Sequence, residues 1–232
     1  MTSNGAALFA FALPLHMLAS SYSLAIWLLF TIFYLIIGGY RWSNFLLNLR
    51  NSKAIFLLVI LYLLLICGLF ISDNINEGVS KIEVSIPFIA APFLFLINKD
   101  LIKINVIFNA FITGLSCSVV LSIINLLIES NFTVDGFYAD FDLFHHSSYY
   151  SMLMNIAIAL FLFLHKKINF SNISRYIFIL ILSVLIFLIS SKAGVIVLIS
   201  LFFVKSIQVV KSSSGLYPKI FFLSFLVVFS IL

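Results

Sequence analysis

The chain has 232 residues, of which 63% are hydrophobic and 9% are charged, and its mean hydropathy is +1.24. Soluble domains carry roughly 45–50% apolar and about 25% charged residues, so this composition excludes a water-soluble globular domain. The formal net charge of +5 does not indicate a nucleic-acid binder, because the Lys and Arg residues are scattered between apolar runs. The composition indicates an integral membrane protein.

The lengths of the apolar runs predict the elements. A membrane-spanning helix needs about 20 mainly apolar residues, with a range of roughly 17–25. This predicts an all-α, polytopic bundle of about nine spans in a single transmembrane domain, residues 1–232. The stretch 6–39 is too long for one helix, and we divide it at residues 20–22. Further spans are predicted at residues 54–71, 79–97, 104–128, 148–165, 171–190, 193–210 and from 220 to the end.

The positions of Lys and Arg predict the orientation, because short cytoplasmic loops retain these residues. Eleven of the 13 basic residues fall in alternate loops, which are predicted to be cytoplasmic together with the N-terminus. The loops between them carry only Lys81 and Lys192, and the acidic segment 129–148 carries no base, so these loops are predicted to face outward. The same rule divides 176–204 into two helices that meet at 190–194. A single helix would place the basic loop that follows it, with Lys205, Lys211 and Lys219, on the outer side of the membrane.

Lys192 lies between two apolar runs, where an ionisable group is costly and usually faces a protein interior, a cavity or a polar partner. One interpretation is an anion site, in which the ammonium, the Ser190 and Ser191 hydroxyls and the helix that starts near Ala193 bind a lipid-linked phosphate at the outer leaflet. The alternative is a lysine at a helix end whose ammonium reaches the membrane surface.

The segment 140–150 gathers acids, imidazoles and phenols at the outer mouth of the bundle. It fits a catalytic site, a ligand site or an interfacial anchor, because Tyr and His often lie at the membrane surface. A metal ion held by Asp140, Asp142, His145 and His146 is disfavoured, because adjacent histidines rarely bind one ion together, and we predict no metal and no cofactor.

The outer loop at residues 72–83 leads into a span that contains Pro87 and Pro92. Prolines can kink a membrane helix and open a cavity, but they are also tolerated where neighbouring groups satisfy the freed carbonyl oxygens. We expect a structural role for both.

Three short motifs follow one another as they do in the bacterial O-antigen ligase and O-antigen polymerase family of membrane glycosyltransferases, which the sequence resembles over roughly residues 72–203. The first motif is the loop 72–83 with its proline-containing span. The second is His146-Ser-Ser-Tyr149-Tyr150-Ser151 at the start of a helix, and the third is Ser191-Lys192-Ala193-Gly194. In the family, the third motif usually has arginine after serine, and this arginine engages the diphosphate of an undecaprenyl-linked glycan.

The resemblance implies transfer or polymerisation of a glycan from an undecaprenyl-diphosphate carrier at the outer face of the bacterial inner membrane, with membrane lipid and other polysaccharide-assembly proteins as partners. Lys192, Ser191 and Tyr149 would contact the substrate, and His145 and His146 are the candidates for a catalytic base. Lys192 stands in place of the family arginine, and a lysine cannot form a bidentate contact with phosphate.

The family also places a large periplasmic loop, with another arginine and the histidine base, after the next span. We therefore expect this chain to be the N-terminal part of a longer protein or a truncated product. Two other classes stay open. The first is a transporter or export component of cell-surface polysaccharide, in which Lys192, His16 and the prolines line a path, although the inverted repeats common in transporters are not visible. The second is a non-catalytic scaffold or fragment.

Overall fold

The computed structural model describes residues 2–37, 49, 52–71, 74–129, 141, 146–164, 170–189 and 191–212. All regular elements in these ranges are α-helices, so the predicted all-α class is confirmed for the described part of the chain. In chain order the helices are α1 (Thr2–Ala12), α2 (Met17–Ile37), α3 (Lys53–Leu69), α4 (Ile75–Ile97), α5 (Ile104–Glu129), α6 (Ser147–Phe163), α7 (Asn172–Leu188) and α8 (Lys192–Ser212).

Three of these helices are long and apolar enough to cross a membrane: α2 over Met17–Ile37, α5 over Ile104–Ile128 and α8 over Lys192–Val209. They have 21, 25 and 18 residues, or about 32, 38 and 27 Å at 1.5 Å per residue. The hydrocarbon core of a bilayer is about 30 Å thick. The apolar parts of α3, α4, α6 and α7 are shorter, at 10–17 residues.

Large apolar side chains cover the outside of the helices. Leu29 and Ile36 of α2 are 64% and 77% exposed, and Phe56 of α3 is 66% exposed. Contiguous apolar surface of this kind marks contact with a membrane or with another protein. The exposed side chains therefore agree with the class that the composition indicates.

The first apolar stretch is divided by a turn at residues 13–16, and the predicted division at 20–22 is wrong. Pro14 lies in this turn, where it lacks the backbone N–H that a continuing helix needs. His16 follows, and its Nδ1 accepts a hydrogen bond from the Leu18 N–H at 3.0 Å, at the start of α2. The proline, and not the pair of serines, ends the first helix.

Ser20 and Ser21 lie within α2 because their hydroxyls donate to the Met17 carbonyl oxygen, at 2.8 and 3.1 Å. Such bonds to the preceding turn satisfy a serine inside a helix. The earlier break leaves α1 with 11 residues, about 16 Å long. As a helix, α1 is thus shorter than the first span that the sequence predicts.

The predicted outer loop at residues 72–83 is helical from Ile75 onward. Asn74 caps α4, because its side-chain oxygen accepts from the Glu77 N–H at 3.3 Å, and the Glu77 carboxylate lies in the first turn, where it complements the helix dipole. The sequence interpretation missed this cap. The helix then continues through Pro87 and Pro92, and a structural role for both residues stays a prediction.

Contacts divide the chain into two compact units, Met1–Gly114 and Leu115–Leu232, and a single transmembrane domain stays a prediction. The first unit packs α1, α2 and α4 around Trp27, which is 3% exposed. The Phe9 ring of α1 lies 6.0 Å from the Trp27 ring. The other buried members of this core are Ala6, Leu24, Leu94 and Ile102.

A buried polar contact joins the end of α4 to α2 within the first unit. Asn98 is fully buried, and its Nδ2 donates to Thr31 Oγ1 at 2.9 Å and to the Leu94 carbonyl oxygen at 2.7 Å. Thr31 Oγ1 in turn donates to the Trp27 carbonyl oxygen at 2.9 Å. Side-chain hydrogen bonds between helices stabilise packing where the surroundings offer no water.

In the second unit, α6 contacts both α7 and α8, and α7 also contacts α8. The inner face of α6 is fully buried at Met154 and Ile158, and Phe161 lies 5.3 Å from Phe178 of α7, centroid to centroid. α6 therefore holds the other two helices in place.

The long apolar stretch 176–204 is divided into two helices, as predicted, because α7 ends at Leu188 and α8 begins at Lys192. Lys192 is therefore the first residue of a helix. The predicted ninth span and several bases that set the predicted orientation, among them Arg41, Arg50, Lys166 and Lys167, lie outside the described residues.

Gly114→Ala tests the contact between α1 and α5. A Cβ atom at residue 114 would overlap the carbonyl group of Phe11, so we expect the variant to lose about 1–3 kcal/mol of stability. Thermal unfolding in detergent measures this. Gly68→Ala is the matched control, because nothing lies within 4 Å of the added atom. Equal unfolding temperatures for both variants would contradict the close packing.

Candidate functional site

The start of α6 carries the second motif. His146 is the N-cap residue, and its Nδ1 accepts a hydrogen bond from the Ser148 N–H at 3.4 Å. The Tyr149 ring is 66% exposed and lies perpendicular to the imidazole, with 6.4 Å between centroids and an angle of 79°. Both side chains are exposed at the first turn of the helix.

The neighbouring Tyr150 has the opposite environment. It is 2% exposed, and its phenol donates to Ser118 Oγ of α5 at 3.0 Å. The fully buried Phe141 ring lies 5.9 Å from it. Tyr150 thus fixes the start of α6 against α5 within the second unit, and Tyr149 is left at the surface.

The start of α8 carries the third motif. Ser191 is 5% exposed and caps the helix, because its Oγ accepts from the Gly194 N–H at 3.2 Å. Lys192 follows and is exposed. Within the described part of the chain, no hydrogen bond or ion pair holds the Lys192 ammonium.

The start of α8 meets the second and third turns of α6 at a junction formed by Ser151, Asn155, Ser191 and Gly194. The Oγ atoms of Ser151 and Ser191 are 2.9 Å apart. A Cβ atom at residue 194 would lie 2.6 Å from both the Cβ and the Oγ of Ser151, so only glycine permits this approach. The Asn155 Nδ2 donates to the carbonyl oxygens of Ser151 and Gly194, at 3.0 and 2.9 Å.

The Ser151 hydroxyl has two acceptors at the junction. Its Oγ lies 2.9 Å from both Ser191 Oγ and the Ser148 carbonyl oxygen and can donate to either one, since a serine has one proton. Ser191 Oγ therefore serves as an acceptor for the Gly194 N–H of its own helix and for Ser151 of α6.

The structure therefore brings two of the three motifs together. Ser151 of the second motif contacts Ser191 of the third, whereas His146, Tyr149 and Lys192 are exposed at the starts of their helices. The other candidate base, His145, lies outside the described residues, as do Asp140 and Asp142. The described residues contain no group of three His, Cys, Asp or Glu side chains that could hold a metal ion.

The sequence interpretation missed Asn155. Its amide joins α6 to α8, and it is 2% exposed. A signal for it is present, since Ser148, Ser151 and Asn155 follow one another at intervals of three and four residues, which places them on one face of an otherwise apolar helix. Polar residues with this spacing indicate a contact with a neighbouring helix.

The electrostatics of the junction favour an anion. Each helix N-terminus carries a partial positive charge from its unpaired backbone N–H groups. Lys192 is exposed at the start of α8, and neither α6 nor α8 has an acidic residue in its first turn. The start of α8 therefore favours an anion over a cation.

No known protein family, curated protein or solved structure matches the chain. The described residues form an all-helical protein with helices that could cross a membrane, in which Lys192 is exposed at the start of α8 and His146 and Tyr149 are exposed at the start of α6. A function has to be argued from these residues.

Gly194→Ala tests the junction through a double-mutant cycle. The added Cβ would overlap Ser151, so we expect the single variant to lose about 1–3 kcal/mol of stability. Ser151→Gly removes the two nearest atoms that the new Cβ would meet and leaves Ser191 Oγ at 3.2 Å. The loss caused by Gly194→Ala should therefore be smaller when Ser151→Gly is also present, as measured by thermal unfolding. Strictly additive effects would contradict the close approach of the two helices.

Proposed function

We propose that the chain is a membrane glycosyltransferase of the O-antigen ligase or polymerase type, which transfers or polymerises a glycan carried on undecaprenyl diphosphate at the outer face of the bacterial inner membrane. The observation that carries the proposal is the junction of α6 and α8, where Ser151 of the second motif lies 2.9 Å from Ser191 of the third, Oγ to Oγ. These are residues of the two motifs that resemble the family.

A lipid diphosphate suits this surface for electrostatic reasons. The N-terminus of α8 and the exposed Lys192 ammonium favour an anion with several oxygens, because backbone N–H groups and Lys192 can bind different oxygens at once. The lysine ammonium is a point charge and cannot form the two parallel hydrogen bonds that an arginine forms with phosphate. The backbone N–H donors would therefore provide the directional contacts. The lipid tail would stay in the bilayer, next to the apolar exterior of the helices.

In the proposed reaction, a hydroxyl of the acceptor attacks the anomeric carbon of the donor glycan. The bond between that carbon and the diphosphate oxygen breaks, and undecaprenyl diphosphate leaves with the electron pair. Lys192 stabilises the charge that develops on the leaving group. A base takes the proton of the acceptor hydroxyl, and the candidates in this chain are His145 and His146.

The proposed orientation places the starts of α6 and α8 outside and the basic loops in the cytoplasm. It is supported by Lys205, which lies 13 residues after Lys192 in α8, or about 20 Å along the helix. Its ammonium is 5.5 Å from the ring of Phe163, the last residue of α6. A base thus marks the opposite end of the α6–α8 pair. If the chain crosses the membrane nine times and its N-terminus is cytoplasmic, α1 must form one of the crossings. Because α1 is short, the turn that follows it has to lie within the membrane as part of the same crossing.

Deletion of the gene tests the reaction. We expect the deleted strain to lose polymerised or ligated surface glycan and to accumulate the lipid-linked glycan on the outer leaflet, where an added lectin reaches it in intact cells. The wild-type gene should restore the glycan, and Lys192→Gln should lower its amount at least about tenfold, because a charge-assisted contact to the diphosphate is lost. Lys205→Gln is the matched control, since it removes a lysine from the other end of the same helix.

The same experiment separates the competing functions. Accumulation of the lipid-linked glycan on the cytoplasmic leaflet, shielded from the lectin, would indicate an export component and contradict the transferase. Unchanged surface glycan after deletion would indicate a non-catalytic scaffold or fragment.

A further inference from the structure

We propose that the first unit binds an anionic membrane phospholipid in a cavity between the start of α1 and the end of α2. This site is separate from the junction of α6 and α8, so the proposal does not depend on the proposed function. It follows from the lining of the cavity, from one buried hydroxyl and from the charges beside it.

The lining of the cavity combines an apolar wall with hydroxyl groups. The volume is about 350 Å³. The apolar side chains are those of Phe30, Phe33, Ile37 and Leu101. The hydroxyls are those of Thr2, Ser3 and Tyr34. The members from α2 are spaced by three and four residues or by one, so they form one face of that helix. A ligand with an apolar part and a polar part fits such a lining.

The cavity lies at a depth where a membrane offers such a ligand. It lies against the last part of α2, from Phe30 to Ile37, and α2 is one of the helices that could cross a membrane. With 21 residues, or about 32 Å, α2 matches the hydrocarbon core of about 30 Å. The end of the helix therefore reaches the boundary between acyl chains and headgroups, where a phospholipid has its ester and phosphate oxygens.

Thr2 provides the observation that points to a ligand. Its side chain lines the cavity and is 5% exposed, and no hydrogen bond holds its hydroxyl within the part of the chain that the structure describes. Buried hydroxyls have partners as a rule, because an unpaired buried polar group is destabilising. A phosphate or ester oxygen in the cavity would accept the hydrogen bond that Thr2 can donate.

The charge beside the cavity is positive. The Lys103 N–H donates to Ser3 Oγ at 3.5 Å, which places Lys103 next to the start of α1. Lys99 and Lys103 are exposed, and in the described ranges neither ammonium forms an ion pair. Asp100 is the one acid between them, and α1 has no acidic residue in its first turn. Basic groups and a helix N-terminus at a membrane surface favour an anionic headgroup.

Buried contacts hold the segment between α4 and α5 that forms one side of the cavity. The Asn98 amide donates to Thr31 Oγ1 of α2 at 2.9 Å, and the Leu101 N–H donates to the Asn98 carbonyl oxygen at 2.9 Å. Ile102 belongs to the core around Trp27. The lipid therefore enters a site with fixed walls, which lowers the entropic cost of binding.

Two substitutions in the cavity test the site, each with a matched control. Thr2→Val removes the hydroxyl and keeps the branched shape, and its control is Thr113→Val, at an exposed threonine outside the cavity. Ile37→Trp narrows the cavity. Its control is Ile36→Trp, because Ile36 is the next residue in α2, is 77% exposed and does not line the cavity.

The measurement is a titration of the delipidated protein in detergent with dioleoyl phosphatidylglycerol or dioleoyl phosphatidylcholine. Native mass spectrometry counts the bound lipid, and thermal unfolding shows that each variant is folded. We expect the wild-type protein to prefer phosphatidylglycerol. Thr2→Val and Ile37→Trp should each bind it about tenfold more weakly, and both controls should bind it within about twofold of wild type.

Replacement of Lys99 and Lys103 by glutamine tests the charge. We expect this double variant to lose the preference for phosphatidylglycerol and to keep the affinity of the wild-type protein for phosphatidylcholine, because the cavity is unchanged. Glycerol phosphate, which has the headgroup charge and no acyl chain, should not bind measurably to the wild-type protein.

Three results would overturn the proposal. Wild-type affinity in both Thr2→Val and Ile37→Trp would show that lipid does not enter the cavity. Equal wild-type affinities for phosphatidylglycerol and phosphatidylcholine would show that the site does not select an anion. Binding of glycerol phosphate as tight as that of phosphatidylglycerol would show a site for free phosphate and not for a lipid.

Discussion

The candidate site depends on one close approach, that of α8 to α6 at Gly194. Because residue 194 has no side chain, Ser151 can reach Ser191, and the Asn155 amide can bridge the two backbones. These contacts hold the start of α8 against the second and third turns of α6 in surroundings where few other polar partners exist. The second and third motifs adjoin only because this junction forms.

The elements that the sequence predicted well are those set by local chemistry. Composition and run length were sufficient for the all-α class, and the placement of Lys192 between charged loops was sufficient to divide 176–204 into two helices. The two boundaries that were predicted wrongly are also set by local signals. Pro14 ends α1, although the prediction divided the stretch at the serines at 20–21. Asn74 caps α4, although the prediction read the polar residues there as a loop.

The site could be predicted only in part, because its geometry comes from contacts between residues about 40 positions apart. The motifs singled out Ser191, Lys192 and Tyr149, and each lies at a helix start. The sequence did not show that Ser151 and Ser191 adjoin, since this depends on the space at Gly194 and on the hydrogen bonds of Asn155. His146 caps α6 through Nδ1, and no spacing of residues encodes which ring nitrogen faces the backbone.

The most direct measurement of the junction is disulfide formation between Ser151→Cys and Ser191→Cys in membranes, with Cys67 and Cys117 replaced by alanine. The two Oγ atoms are 2.9 Å apart, and disulfides form where the Cβ atoms are about 3.5–4.5 Å apart. Mild oxidation should therefore cross-link this pair, detected by mass spectrometry. The control pair Ser151→Cys and Ser200→Cys, about 14 Å further along α8, should stay reduced. Failure of the first pair to cross-link, or equal cross-linking of both pairs, would contradict the account.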